Sequence, residues 1–179
     1  MQKNNILLLV FLFFPMTLWA SEHPKYSWAE LNCGLIGCSF AFNVANGTQG
    51  WRGSASSYNQ GFLSNIVDKE SKEIVSTNLM SLALLRNWTL RSKIGYLNAG
   101  VGISYVKGKW GVSCRDYRDQ FGTNQLCEIK KVSTVGVPIH ISAIFGRHIG
   151  FGLFANALIT SSTKSGLIGI SIPIGIFTN

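Results

Sequence analysis

Along its last third the chain switches between apolar and small or polar residues at every step. Ile168, Ile170, Ile172, Ile174 and Ile176 alternate with Gly169, Ser171, Pro173 and Gly175. Successive side chains of an extended strand point to opposite faces, so strict period two predicts a strand with one apolar face. Phe151, Leu153, Ala155, Ala157 and Ile159 alternate in the same way with Gly150, Gly152, Asn156 and Thr160. Before them, Val135, Val137, Ile139, Ile141, Ala143 and Phe145 alternate with Thr134, Gly136, Pro138, His140 and Ser142. Leu97, Ala99, Val101, Ile103 and Tyr105 do so with Tyr96, Asn98, Gly100, Gly102 and Ser104. Four consecutive strands are predicted, with turns at 146–148 and 161–166 and one long loop at 107–128.

The first half alternates less cleanly. Phe40, Phe42 and Val44 predict a short strand, and further strands are expected at 49–58, 62–68 and 73–85. In the last of these Leu79, Leu82, Leu84 and Leu85 occupy both parities, which leaves a helix open. The β-branched Ile74, Val75 and Thr77 favour a strand. The count is eight strands.

The second face of the late strands decides which way they point. It carries Gly, Ser, Asn, Thr and a His, a poor solvent-exposed face but a good filling for a narrow barrel. Lys and Arg are missing from the middle of these strands and gather at their ends: Lys107, Lys109, Lys130, Lys131, Arg147 and Lys164. Apolar out, small and polar in, and charges at the rims is the pattern of a transmembrane barrel. The predicted fold is therefore all-β: an antiparallel up-and-down eight-stranded transmembrane β-barrel. Ile168, Ile170, Ile172, Ile174, Ile176, Phe151, Leu153, Val137, Ile139 and Ile141 are its expected lipid-facing residues.

Composition agrees. The 179 residues are 46% hydrophobic and only 13% charged, yet no apolar run reaches the roughly 18 residues of a membrane-spanning helix. A helical multi-span protein is thereby excluded, and an ordinary cytosolic enzyme is disfavoured. Lys3, the apolar stretch 6–14, Pro15 and Ala20 before a polar segment read as a secretory signal peptide over 1–20, cleaved after Ala20. Export to an oxidising compartment turns Cys33, Cys38, Cys114 and Cys127 into expected disulfides. Four cysteines permit three pairings, and Cys33–Cys38 with Cys114–Cys127 is preferred because each closes one short loop. A zinc site needs a Cys-x-x-Cys or a close His pair, and neither occurs. No metal and no cofactor is expected.

The strands 150–159 and 165–177, together with 97–110, resemble small eight-stranded outer-membrane barrel proteins of Gram-negative bacteria. That resemblance implies location in the bacterial outer membrane, insertion by the barrel-assembly machinery and a monomeric barrel. It also implies contact with outer-membrane lipids, including lipopolysaccharide. Such barrels end on an aromatic residue, whereas this chain runs past Phe177 to Thr178 and Asn179. Pro173 removes a ladder hydrogen bond, to be replaced by a bulge or water. The implied division is a periplasmic N-terminal segment over 21–37 and a barrel over 38–179. With a periplasmic N-terminus, 46–50, 69–73, 107–128 and 161–166 are extracellular. The two cysteine pairs then sit at opposite ends.

Charge and motifs add little catalytic chemistry. The net charge of +8, which falls by one with Lys3, comes without basic clusters interleaved with aromatics. Nucleic acid is therefore not an expected partner, and the rim cations suit lipid phosphates. Trp51, Trp88, Trp110, Tyr105 and Tyr117 could supply interfacial aromatic belts. Gly100-Val101-Gly102 and Gly150-Phe151-Gly152 open no helix and are not phosphate loops. His140 and Ser142 share one strand face, and a His-x-Ser pair on a late strand is similar to the catalytic arrangement of barrel lipid A deacylases. In that reading Ser142 is the nucleophile and His140 its general base. An orienting acid would have to come from Asp68, Glu70, Glu73, Asp116, Asp119 or Glu128, all near loops. The bland alternative is hydrogen bonding in the barrel interior. Three functions stay open: a non-catalytic outer-membrane barrel with a structural or loop-mediated role, a deacylase-like acyl hydrolase, and a secreted soluble ligand-binding barrel.

Overall fold

The computed structural model describes residues 26–60, 65–92, 94–119, 122–146 and 149–177. The expected signal peptide lies outside these residues, as do Thr178 and Asn179. The described residues form nine strands and no helix: β1 Tyr26–Gly34, β2 Gly37–Asn46, β3 Gln49–Asn59, β4 Asn65–Asp68, β5 Asn78–Arg91, β6 Gly95–Asp119, β7 Gly122–Gly146, β8 Gly150–Thr160 and β9 Lys164–Phe177. All but β4 pair antiparallel with their neighbours, and the ladder closes from β1 to β9 over Tyr26↔Phe177 to Gly34↔Gly169. The result is a closed eight-stranded barrel with up-and-down connectivity.

The expected number of barrel strands is right, but two assignments change. β1 lies within the segment expected to precede the barrel, which therefore extends back to Tyr26 rather than starting at 38. Its Tyr26, Trp28, Glu30 and Asn32 point inward, alternating with Ser27, Ala29, Leu31 and Cys33. The strand expected at 62–68 is not a barrel stave. Among the described residues β4 forms there, and it pairs in parallel with Asn124–Cys127 of β7 beyond the barrel body. The strand expected at 73–85 forms later, as β5, and the helical alternative is absent. Leu79 and Leu85 face in while Leu82 and Leu84 face out, which explains the leucines on both parities.

The expected loop at 107–128 is likewise mostly strand. β6 and β7 run on past the barrel as a projecting hairpin, with a bulge between Val112 and Arg115. Because β1 adds a stave before β2, the ends are reassigned. The turn at 47–48 now lies at the end where Tyr26 pairs with Phe177. Residues 35–36, the 60–77 connection, the projecting hairpin and 161–163 share the other end. Both disulfides, Cys33–Cys38 and Cys114–Cys127, belong to that projecting end, not to opposite ends. The pairing itself is as expected. Cys33 and Cys38 are direct cross-strand partners beside the β1–β2 turn.

The lumen is filled in three layers and is not uniformly small and polar. Tyr26, Trp28, Tyr96 and Ile144 pack near the termini, with Trp28 and Tyr96 edge to face at 5.5 Å between ring centres. Gly175 lies opposite Trp28, where a Cβ would collide with the Trp28 Cβ, so this glycine makes room for the indole. Toward the projecting end Tyr58, Leu79, Val106, Trp110, Val132, Phe154, Leu158 and Leu167 form a larger apolar cluster. Between the two lies a polar layer. β9 keeps its register with β1 through Pro173, with no bulge there.

Candidate functional site

The polar layer holds Glu30, Arg52 and His140, the buried acidic and basic side chains among the described residues. Glu30 on β1 and Arg52 on β3 are essentially without solvent exposure and form an ion pair of 2.5 Å. Trp28 Nε1 donates to Glu30 Oε1 at 2.6 Å, Asn32 Nδ2 donates to Oε2 at 3.4 Å, and Arg52 also donates to Asn43 Oδ1 at 3.2 Å. Inward-facing residues two apart on β1 place Trp28, Glu30 and Asn32 on one line. The lumen brings Arg52 to them from two strands away. A carboxylate buried this deeply is tolerable only with its charge matched and its lone pairs occupied.

His140 joins this cluster from the opposite wall. Its Nε2 lies 3.9 Å from Glu30 Oε2 and 3.1 Å from Ser142 Oγ. Its Nδ1 is 2.6 Å from Asn156 Oδ1 on β8, the residue directly across the ladder. An amide oxygen only accepts, so Nδ1 donates, and in the neutral ring Nε2 then accepts from the Ser142 hydroxyl. Asn98 Nδ2 donates to the same Ser142 Oγ at 3.3 Å, and Thr89 Oγ1 donates to Asn98 Oδ1 at 2.8 Å. Two hydrogen-bonded networks therefore share the lumen, one through β1, β2 and β3 and one through β5, β6, β7 and β8, and the 3.9 Å approach of His140 Nε2 to Glu30 Oε2 brings them together.

The geometry brings together Ser142 and His140 as their spacing predicts, with the ring held in the tautomer a serine base needs. It does not give them a substrate. His140 is 2% exposed and Ser142 1%, with apolar layers above and below them. The cavity beside them, lined by Arg52, Tyr58, His140 and Asn156, measures about 10 Å³, room for no more than a water molecule. A hydrolase needs space for an acyl carbon within about 3 Å of its nucleophile and for donors to the oxyanion. The orienting position at Nδ1 is occupied by Asn156, and the nearest carboxylate, Glu30, approaches the other ring nitrogen.

None of the expected acids with a described side chain reaches the pair. Asp68, Glu70, Glu73, Asp116 and Glu128 belong to β4, the turn after it and the projecting hairpin, and the Asp119 side chain lies outside the described residues. Glu30 and Arg52 were missed. The available signal was the alternation of Tyr26, Trp28, Glu30 and Asn32 with smaller or apolar residues, which marks a strand with a polar inner face.

On the outside, every expected outward residue with a described side chain is exposed, from Ile139 at 37% to Ile168 at 74%. The Ile176 side chain lies outside the described residues. Of the expected belt aromatics, Trp88 and Tyr105 are exposed and Trp51 is half-buried, with the Arg86 guanidinium 5.2 Å above its ring. Trp110 is a correction: its even parity on β6 turns it into the lumen, where it joins the apolar cluster. The Tyr117 side chain is outside the described residues.

Neither the known protein-family models nor the characterised proteins give a match to this chain. The class rests on architecture: a closed antiparallel eight-stranded barrel with an apolar outer face, a sealed lumen and one disulfide-bonded projecting end.

Proposed function

We propose that the chain is an outer-membrane β-barrel without catalytic activity of its own, acting structurally or through its projecting end. The observation that carries this reading is the outer face. Phe40, Phe42, Leu82, Leu84, Val101, Ile103, Val137, Ile139, Ile141, Leu153, Ile170 and Ile172 are all exposed and spread over six of the eight staves. Monomeric soluble proteins rarely expose contiguous apolar area beyond a few hundred Å², whereas a barrel in lipid requires it. The polar groups that a soluble barrel would place outside are sealed within. In a lumen so filled, neither a pore nor a ligand chamber has space.

In this reading both termini are periplasmic. The projecting hairpin, β4 and the two disulfides stand on the extracellular side, where the hairpin offers the surface for loop-mediated contacts. The acyl hydrolase reading keeps the bond between Ser142 and His140 but has no route for an acyl chain to reach it.

The test has two arms. Detergent-extracted protein should migrate faster unheated than boiled on a denaturing gel, as a closed membrane barrel does. Recovery of the folded protein in the aqueous fraction without detergent would instead support a secreted soluble barrel. Mass spectrometry of lipid A from cells with and without the gene should show identical acylation. Loss of one acyl chain that depends on Ser142 would establish the hydrolase.

A further inference from the structure

Two features of the outer face near the projecting end go beyond uniform contact with hydrocarbon. The first is charge. Lys109 on β6 and Lys131 on β7 lie directly opposite each other, and both are exposed. Lys107, two residues before Lys109, shares their outward face. Like charges placed opposite one another across a ladder repel. Among the described residues, the ion pairs join Arg52 to Glu30 and Lys130 to Glu128, so these three lysines have no acidic partner.

The second feature is shape. A groove of about 790 Å³ adjoins the lysines, lined by Phe40, Ala55, Met80, Leu82, Tyr105 and Lys107 among others. It exists because the outward residues of β3 between Trp51 and Asn59 are the small Gly53, Ala55 and Ser57. Phe42 and Phe40 stand opposite Gly53 and Ala55 on one side, and Leu84, Leu82 and Met80 stand opposite the same three on the other. Met80 pairs with Lys107, and Asn78 with Lys109, so the groove leads to the cationic cluster.

An apolar trough that ends on three unpaired cations complements an amphiphile with an anionic head. A neutral lipid would leave the lysines repelling one another, and a free phosphate would leave the trough unused. We propose that this face holds a phosphorylated acyl lipid of the outer leaflet, its phosphate on Lys107, Lys109 and Lys131 and an acyl chain along β3. The assignment rests on the outer-membrane reading above.

The experiment is native mass spectrometry of the purified protein in nonionic detergent, titrated with diphosphorylated lipid A or with phosphatidylcholine. One lipid A should stay bound under conditions that strip phosphatidylcholine. Each lysine removed should weaken retention about fivefold, and the Lys107→Gln/Lys109→Gln/Lys131→Gln variant by well over that. Ala55→Trp, and the smaller Ser57→Leu, should weaken retention with every charge in place. All variants are checked for heat-modifiable migration, so that only folded barrels are compared. Equal retention by wild type and the triple lysine variant overturns the proposal, as does indifference to both groove-filling variants. Full displacement of lipid A by inorganic phosphate assigns the cluster to phosphate alone and also overturns it. A wild-type protein without heat-modifiable migration sinks the membrane reading and this site with it. A heat-modifiable barrel that holds lipid A no better than phosphatidylcholine sinks the site alone.

Discussion

Arg52 is the residue on which the lumen's electrostatics depend. It neutralises Glu30, and Trp28, Asn32 and Asn43 supply hydrogen bonds around the pair. A buried ion pair gains little over a well-packed apolar pair, but removing one partner strands a charge and costs about 3–5 kcal/mol. Arg52→Met should therefore destabilise the folded barrel by about that amount, and Glu30→Gln/Arg52→Met should recover most of it. Urea unfolding followed by tryptophan fluorescence measures both, since Trp28 is bonded to Glu30. Equal losses in the single and double variants would mean that the pair carries no charge coupling. His140 and Ser142 were legible as a pair because two residues on one strand share a face. Glu30 and Asn156 were not legible as their neighbours, because contact across a lumen depends on which strands stand opposite and in what register.

The projecting hairpin of β6 and β7 shows why some element boundaries escaped the sequence. Beyond Tyr105 the alternation of apolar with small residues gives way to Lys107, Lys109, Arg115, Asp116 and Arg118, the composition of a loop. Yet the ladder continues to Asp119↔Gly122, because backbone pairing does not require an apolar face once the strands have left the barrel. The bulge at Val112–Arg115 sits beside Cys114, whose bond to Cys127 ties the two arms together. A loop of this length gives about 3 kcal/mol of constraint at most. Cys114→Ser/Cys127→Ser should make the hairpin readily cleaved by added protease while heat-modifiable migration of the barrel persists. Unchanged protease resistance would show that β4, paired along Asn124–Cys127, already suffices to hold it. The exchange of β4 for β1 as the eighth stave has a related cause. Apolar content favoured residues 62–68, whereas β1 carries its large groups inward and only Leu31 as a large apolar residue outward.

At the scale of the molecule, one barrel wall separates two chemistries that most folds keep the other way round. Isoleucine, leucine, valine and phenylalanine face outward, and an ion pair with its amides and hydroxyls is sealed between two apolar layers. Where that outer face meets lipid, a charge near its middle costs about 2–4 kcal/mol. In a soluble barrel the same surface substitution costs within about 0.5 kcal/mol. Ile139→Arg and Ile170→Arg, each exposed in the middle of its strand, should therefore lower stability in lipid vesicles by the larger figure. A value near zero for both would argue for water outside the barrel.

The faces were legible in the sequence: which side chains of each late strand point out, where the cations collect, and which of the three cysteine pairings is to be preferred. These are local properties, because alternation belongs to a single extended strand and each disulfide closes a short hairpin. That the barrel extends back to Tyr26, that both disulfides share one end, and that Glu30 meets Arg52 and His140 emerged only with the closed fold. Those facts follow from Tyr26 pairing with Phe177 across almost the whole chain. Barrel closure depends on every intervening stave, and no local pattern of residues encodes it.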